Sequence, residues 1–298
     1  LFALQRASGC PVHVFRLPNV FGKWTRPHYN SAVATFCHNT ARGLPITVND
    51  ASVQMRLLYI DDLTDMLLAL LSGTAVWLRE FHPEVRIIGV EPEGAPSMKA
   101  ALEAGGTVTL ESIDGFADGT AVKRVGDITY EITRDLVDEI ITVPEGAICT
   151  EMLDLYQVEG IIAEPSGALA SAAVARFLPN LPEGPIACVV SGGNNDVSRY
   201  DDIVERSLVY EGLRHYFLVT FPQEPGALRH FLDHVLGEGD DIIQFEYTKK
   251  NNRETGPALV GIEIDDPAHL TSLLERMAES PLNIEKLEPN SPAFSFLL

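Results

Sequence analysis

Basic residues are scarce in this sequence. Its 298 residues carry 22 Lys and Arg against 42 Asp and Glu, a formal net charge of −20. A chain so acidic repels phosphate at every approach, which argues against nucleic acid or an anionic membrane surface as partner. Long apolar runs are missing too. The longest near-continuous one, Met66 to Leu71, falls far short of the ~18 residues of a bilayer span. Cysteine is sparse: Cys10, Cys37, Cys149 and Cys188 lie far apart, with no CxxC pair and no metal-ligand spacing. They read as reduced, buried thiols of a cytoplasmic protein. No Walker A loop, GxGxxG, GxSxG or basic–aromatic stripe occurs, and those classes lose ground. His230 and His234 stand four apart, but Phe231-Leu232-Asp233 between them do not make HExxH, and the pair reads as an exposed helical face. A leader of basic then apolar residues is also absent, and the start at Leu1 reads as that of a fragment.

What is present is a globular composition. At 46% hydrophobic residues the chain supports a sizeable core and room for two domains. The charge is uneven: residues 1–73 hold six basic and four acidic residues, so the −22 balance falls on 74–298. Pro11 to Leu17 reads as a short strand stopped by Pro18, and 30–43 has helical spacing. Leu57 to Ile60 reads as a buried strand before a helix from Asp62, and a further helix is predicted from Thr74. Apolar strands at 86–90, 139–143 and 186–190 alternate with helices at 97–104, 126–138, around Ile148, Met152, Leu155 and Tyr156, and from Pro165 to Phe177. That alternation predicts a parallel α/β sheet covered on both faces. The last ~90 residues change rhythm to βαββαβ, a small α+β sandwich of ferredoxin-like type.

Ser191-Gly192-Gly193-Asn194, directly after the last apolar run, is the sharpest local signal. A glycine pair there lets backbone approach a ligand, and the strand's carboxyl end is where open α/β sheets bind. An ordinary βα turn has the same spacing. Glu164-Pro165-Ser166-Gly167 sets a carboxylate at a helix start, where a cap alone would also fit. Asp118-Gly119 makes a turn of similar ambiguity.

Two resemblances meet near residue 72. The words IIGVEPEGAPSMKAALEAG, FADGTAVKRVG, IIAEPSGALASAA, VVSGGNND and ERSLVYEGLRHYFLVTFPQEPGALR, in that order, resemble a short-form threonine ammonia-lyase (threonine dehydratase). The likeness covers residues 74–298. The words RLPNVFGKW, RPHYNSAVATFCHNTARGLPI and LLYIDDLTDMLLALL resemble the back end of an extended short-chain dehydrogenase/reductase, of the NAD(P)-dependent nucleotide-sugar epimerase and reductase kind. The implied division is 1–72 as the reductase-like fragment, 73–205 as the C-terminal part of a pyridoxal-phosphate fold type II lyase domain, and 206–298 as an ACT-like regulatory domain. The chain then reads as a chimera joined in frame.

The lyase resemblance implies pyridoxal phosphate as cofactor, an amino acid as substrate or effector, and a homo-oligomeric parent. By it Ser191, with Gly192 behind, meets the pyridine nitrogen; Glu164 lies beside the ring; and the backbone of Gly119 faces the cofactor. Glu91 matches a cation ligand of related folds, but its second carboxylate is replaced by Ser97, so no metal is expected. Two parts depart from the family. None of Lys23, Lys99, Lys123, Lys249, Lys250 and Lys286 stands in the Schiff-base word, and Met66, Leu67, Leu68 and Ala69 occupy the four glycine positions of the phosphate loop. The resemblance implies a catalytically incomplete lyase. On the reductase side Pro18 and Asn19 match a segment lining the nicotinamide, whereas the diphosphate arginine position holds Met55, with Arg56 one residue late.

Overall fold

Between Ile60 and His82 no proline interrupts a run of good helix formers, and one helix takes all of it. The computed structural model describes residues 57–177, 184–192, 197–247 and 254–289, together with Asn19–Phe21 and the single residues Asn39, Arg42, Leu44, Ser291 and Phe294. The strand predicted over 11–17 and nearly all of the helix over 30–43 lie outside them. The chain forms two compact units, Leu1–Val197 and Ser198–Leu298.

In the first unit β1 (Asn19–Phe21) pairs in parallel with β2 (Leu57–Tyr59), which runs into α1 (Ile60–Phe81). The sequence reading had two helices here, from Asp62 and from Thr74; the structure has one of 22 residues, with Ser72 and Gly73 inside it. A mid-helix glycine costs only about 1 kcal/mol, too little to break a helix otherwise well provided. Pro83 ends it. Arg79 closes the C-terminus: Nε donates to the Leu136 carbonyl at 3.0 Å, Nη1 to the Val85 carbonyl at 2.9 Å, and Nη2 to Asp138 at 2.6 Å. Cationic charge is favoured at that pole.

β3 (Ile88–Pro92) and β4 (Glu139–Val143) form a parallel pair in register from Ile88↔Glu139 to Pro92↔Val143. Between them come α2 (Ser97–Ala104) and α3 (Asp127–Leu136), and Met98, Ala101, Val125 and Tyr130 make the core under α2 and α3. α4 (Glu145–Gln157) packs on α5 (Pro165–Phe177), and Ile148, Met152 and Leu155 of the first and Ala168, Leu169, Ala172 and Ala173 of the second are all buried. Alanines let the helix axes approach closely. Tyr156, expected on that apolar face, is half exposed, one residue from the end of the helix.

The run 186–190 corrects the sequence reading. It carries no strand ladder among the described residues, and Val189 is 47% exposed. The run lies against α5 instead: the Cys188 thiol donates to the Ala170 carbonyl at 3.6 Å. Its burial alternates residue by residue, half-buried at Ile186, Cys188 and Val190 and exposed at Ala187 and Val189. That is strand periodicity with one face covered by a helix and the other open.

In the second unit α6 (Tyr200–Tyr210) leads to β5 (Arg214–Pro222), α7 (Ala227–His234), β6 (Asp241–Tyr247), β7 (Thr255–Glu263), α8 (His269–Glu279) and β8 (Asn283–Leu287). The strands form one antiparallel sheet in the order β6-β7-β5-β8. This is the βαββαβ sandwich that the hydrophobic rhythm predicts. Alternate residues Phe217, Val219 and Phe221 of β5 and Ala258, Val260 and Ile262 of β7 pack under Phe231 and Val235 from α7 and Leu273 and Met277 from α8. Both helices therefore cover one face of the sheet. Toward the opposite face Tyr216, Leu287 and Phe294 cluster with Val209 of α6.

Candidate functional site

The start of α5 organises the candidate site. The Glu164 carbonyl accepts from the N–H groups of Gly167 and Ala168, which opens the helix directly after Pro165. Proline suits this first turn because its missing N–H would find no partner there. The Glu164 N–H donates to the Gly192 carbonyl at 2.7 Å, so the helix start is tied to the end of the 184–192 run.

Three glycines make the contact possible. A Cβ on Gly167 would lie 1.6 Å from the Ser191 carbonyl oxygen, so backbone meets backbone with nothing between. Gly192 has φ +69°, and a Cβ there would fall 2.0 Å from Cδ of Glu164. Only glycine combines that left-handed conformation with that space. A Cβ on Gly119 would stand 2.8 Å from the Ser166 hydroxyl and 3.5 Å from the Glu164 carboxylate. Gly119, Glu164, Ser191 and Gly192, named from separate words of the sequence, thus come together at one place, all half-buried.

Ser166, Gly167 and Thr120 belong to the same cluster and were not singled out by the sequence reading. Ser166 and Gly167 are buried; the Thr120 hydroxyl donates to the Ala117 carbonyl at 3.2 Å and to the Ser166 hydroxyl at 3.4 Å. The available signal was Gly167 itself. Glycine in the first turn of an alanine-rich helix forgoes helix propensity, and close backbone approach is a reason to do so.

Glu91, the position of a cation ligand in the related folds, is engaged elsewhere. Its Oε1 accepts the Met98 N–H at 2.7 Å and the Ser97 hydroxyl at 3.4 Å, and its Oε2 accepts the Lys99 N–H at 2.9 Å. The residue before α2, Pro96, has no side chain that can cap, so this carboxylate from β3 caps the helix across seven and eight residues. Burial pushes its pKa up, against the pull of those donors. His230 and His234 stack with ring centroids 4.2 Å apart on exposed helix surface, with His234 Nδ1 3.1 Å from the His230 carbonyl. Among the described residues no three His, Cys, Asp or Glu side chains gather as a metal would require.

Of the reactive groups nearby, Cys188 has its thiol pushed up to about 11 by burial and by the neighbouring Glu151. A thiol so poised is a poor nucleophile at neutral pH. Glu151 is itself buried in the α4–α5 interface, and burial raises its pKa. Lys123 Nζ donates to the Glu111 carbonyl at 2.9 Å, Lys99 sits in the first turn of α2, and Lys286 belongs to the second unit; Lys23, Lys249 and Lys250 lie outside the described residues. Residues 66–69 are helical backbone within α1. Helical N–H groups donate to carbonyls four residues back and leave no converging set for an anion.

Comparison with known proteins matches three segments. Residues 68–192 match a pyridoxal-phosphate dependent enzyme family, 205–297 the C-terminal regulatory domain of threonine dehydratase, and 1–76 the NAD dependent epimerase/dehydratase family. Among proteins, the biosynthetic L-threonine dehydratase IlvA of Corynebacterium glutamicum is 54% identical over 230 residues, covering 76% of this chain and 52% of its own length. The Bacillus subtilis IlvA is 48% identical over 229 residues, covering 77% and 54%. The chain thus spans about half the length of the curated relatives it matches. Among solved structures, the processed form of threonine deaminase isoform 2 from Solanum lycopersicum is similar at 35% identity and a TM-score of 0.45, over 46% of this chain and 41% of that one. The first match implies pyridoxal phosphate as the cofactor of the family. No helix among the described residues is long and apolar enough to cross a membrane.

Proposed function

We propose, from a chain whose residues 68–192 match a pyridoxal-phosphate dependent enzyme family and 205–297 the regulatory domain of threonine dehydratase, that it derives from a threonine ammonia-lyase and does not by itself complete that reaction. The parent activity converts L-threonine to 2-oxobutanoate and ammonia, the entry to isoleucine synthesis. The observation behind the reading is the meeting of Gly119, Glu164, Ser191 and Gly192 at one place in a chain whose residues 66–69 are helical. On the ring side, the glycines at 119, 167 and 192 let the Asp118-Gly119 turn, the start of α5 and the end of the 184–192 run close on one another, with the Glu164 carboxylate and Ser191 among them. Ser191 would hold the pyridine nitrogen by a hydrogen bond, Glu164 would lie beside the ring, and the backbone of Gly119 would face it. On the phosphate side the reading takes residues 66–69 as the counterpart of a glycine loop, and a helical backbone at those positions offers no converging N–H groups for a phosphate. When bound, the cofactor supplies the electron sink for elimination; no step through it follows from the residues of this chain.

The test is direct. Incubation of the purified chain with pyridoxal phosphate and threonine gives 2-oxobutanoate at background, and turnover above background overturns the reading. The parentage implies a cytoplasmic protein that acts on amino acids, with a homo-oligomeric ancestor.

A second reading has its own support, since the match to a regulatory domain coincides with a fully formed four-stranded sandwich. In it the second unit binds a branched-chain amino acid apart from any chemistry. Calorimetric titration with isoleucine and valine gives heat if so, and none at millimolar ligand rejects it. The reductase-like segment, read as the tail of a nucleotide-sugar enzyme, predicts no retention of NAD(P) through a desalting column, and retention would reject that.

A further inference from the structure

We infer that the pocket between α8 and β8 binds a small apolar monocarboxylate, its carbon chain among core side chains and its carboxylate on the Lys286 ammonium. The site lies within the second unit alone and stands apart from the lyase reading. β8 is an edge strand, since the sheet runs β6-β7-β5-β8. Its register on β5 sets Ile284 opposite Val219 and Lys286 opposite Phe217. Residues directly opposite in an antiparallel pair share a face, so Lys286 stands in the row that α7 and α8 cover. Its neighbours in that row, Phe217, Val219 and Ile284, belong to the core of the unit. A lysine is out of keeping with such a row, and its side chain is only 27% exposed.

Beside Lys286 the packing is incomplete. A pocket of about 230 Å³ lies between Leu274, Met277 and Ala278 of α8, Leu282 of the following turn, and Phe217 and Ile284 of the sheet. That turn is short and held by hydrogen bonds, from the Ser280 N–H to the Arg276 carbonyl and from the Leu282 N–H to the Ser280 hydroxyl. An apolar cavity of about 150 Å³ holds one benzene, so this one takes a branched chain of about five or six carbons. Leu274 is 37% exposed, which leaves the pocket open to solvent.

The head group follows from the polar lining. Lys286 is the one ionic side chain there, and Asn283 the one other polar side chain. Among the described residues the ion-pair partner of Lys286 is Glu288, 3.8 Å away and itself 71% exposed. That distance is beyond hydrogen-bond reach, so the donors of the ammonium are open to an anion. A carboxylate entering the pocket meets its counter-ion. The α-ammonium of an amino acid meets a like charge instead, with no carboxylate in the lining. An inward lysine also guards an edge strand against pairing with another chain, but a guard needs no cavity beside it.

The experiment labels the full-length chain with methyl-labelled methionine and follows Met277 by nuclear magnetic resonance, assigned with Met277→Leu. Titration with isocaproate should shift that resonance with a Kd of about 0.1–1 mM and leave the other methionines in place. Isocaproamide, neutral and of the same shape, should bind at least about tenfold more weakly. Lys286→Met should weaken isocaproate by a similar factor and leave isocaproamide unchanged. Tighter binding of α-ketoisocaproate than of isocaproate assigns the ligand to the keto acids, and equal or weaker binding to the fatty acids. No shift at concentrations up to about 20 mM overturns the inference and leaves Lys286 as a guard of the edge. Isocaproate and isocaproamide that bind the parent chain alike overturn it too, whether or not Lys286→Met folds. Leucine bound as tightly as isocaproate also overturns it, in favour of an amino-acid site.

Discussion

Gly167→Ala places one methyl group where the structure has no room for it. The new Cβ would lie 1.6, 2.6 and 3.1 Å from the carbonyl oxygen, carbonyl carbon and nitrogen of Ser191. These are backbone atoms, so no side chain can swing aside; either the 184–192 run or the first turn of α5 must move. A movement that restores contact distance stretches the 2.7 Å bond from the Glu164 N–H to the Gly192 carbonyl beyond use. Overpacking of this kind costs about 1–3 kcal/mol and the lost bond about 1 kcal/mol, while alanine in place of helical glycine returns about 1 kcal/mol. The net is about 1–3 kcal/mol of destabilisation. Gly73→Ala is the control, because it too lies in a helix and nothing stands within 4 Å of its Cβ. It should stabilise by about 0.5–1 kcal/mol. The second unit, Ser198–Leu298, contains no tryptophan, so tryptophan fluorescence in urea does not report its unfolding, and Trp77 of α1 reports on the first. A Gly167→Ala variant as stable as Gly73→Ala would refute the contact between α5 and the run, and with it the assembly of the candidate site.

Two further predictions concern buried charge. Burial raises the pKa of Glu151, so folding favours the neutral carboxyl. Its share of stability is whole below the ordinary carboxyl range and is lost as pH rises through the raised value. Glu151→Gln removes that slope: thermal melts should show the variant gaining on the parent between about pH 4 and pH 7, and an equal difference at both would reject the reasoning. In the second unit Arg214 joins Glu205 of α6 to Glu263 of β7, and the Tyr216 hydroxyl donates to Glu205 at 2.6 Å. Arg214→Met leaves two partly exposed carboxylates without their shared cation and should cost about 1–2 kcal/mol, seen as faster amide exchange in α6 and β5. Arg214→Lys should recover only part of it, since an ammonium cannot span both partners as a guanidinium does.

Local chemistry decided what could be read in advance. α5 was legible from end to end because Glu164-Pro165 states its start, and β4 because four β-favouring residues, Ile140 to Val143, stand directly before Pro144. The order of the second unit followed from two amphipathic helices set among alternating strands. The capping role of Glu91 was hidden, because a carboxylate that accepts from a helix seven and eight residues downstream leaves no cap signature at Pro96, where the helix begins. The 186–190 run misled for another reason: apolar character predicts an extended backbone but cannot say whether a neighbouring edge is there to pair with it. Ser166 was hidden because its contact to Thr120 crosses 46 residues.

Helix α1 raises the remaining question, whether the reductase-like and lyase-like segments make one structural element. The resemblances change near residue 72, inside the helix, and grips on the β3–β4 pair lie on either side of that point. Before it, Leu71 packs so close to Gly89 that a Cβ there would stand 2.9 Å from its Cδ2. After it, Arg79 holds the Leu136 carbonyl and Asp138, which in turn accepts the Ile87 N–H at 2.7 Å. A helix turns 100° and rises 1.5 Å per residue. Inserting one alanine between Ser72 and Gly73 therefore rotates one grip away from the sheet whenever the other is kept. Losing Leu71 costs about 2 kcal/mol of apolar burial, and losing Arg79 leaves Asp138 without its cation. The insertion should lower the urea midpoint of the tryptophan transition by more than Gly167→Ala does. An insertion without effect would mean that the segment up to residue 71 adds nothing to the lyase-like unit, and that the helix is continuous in geometry but not in energy.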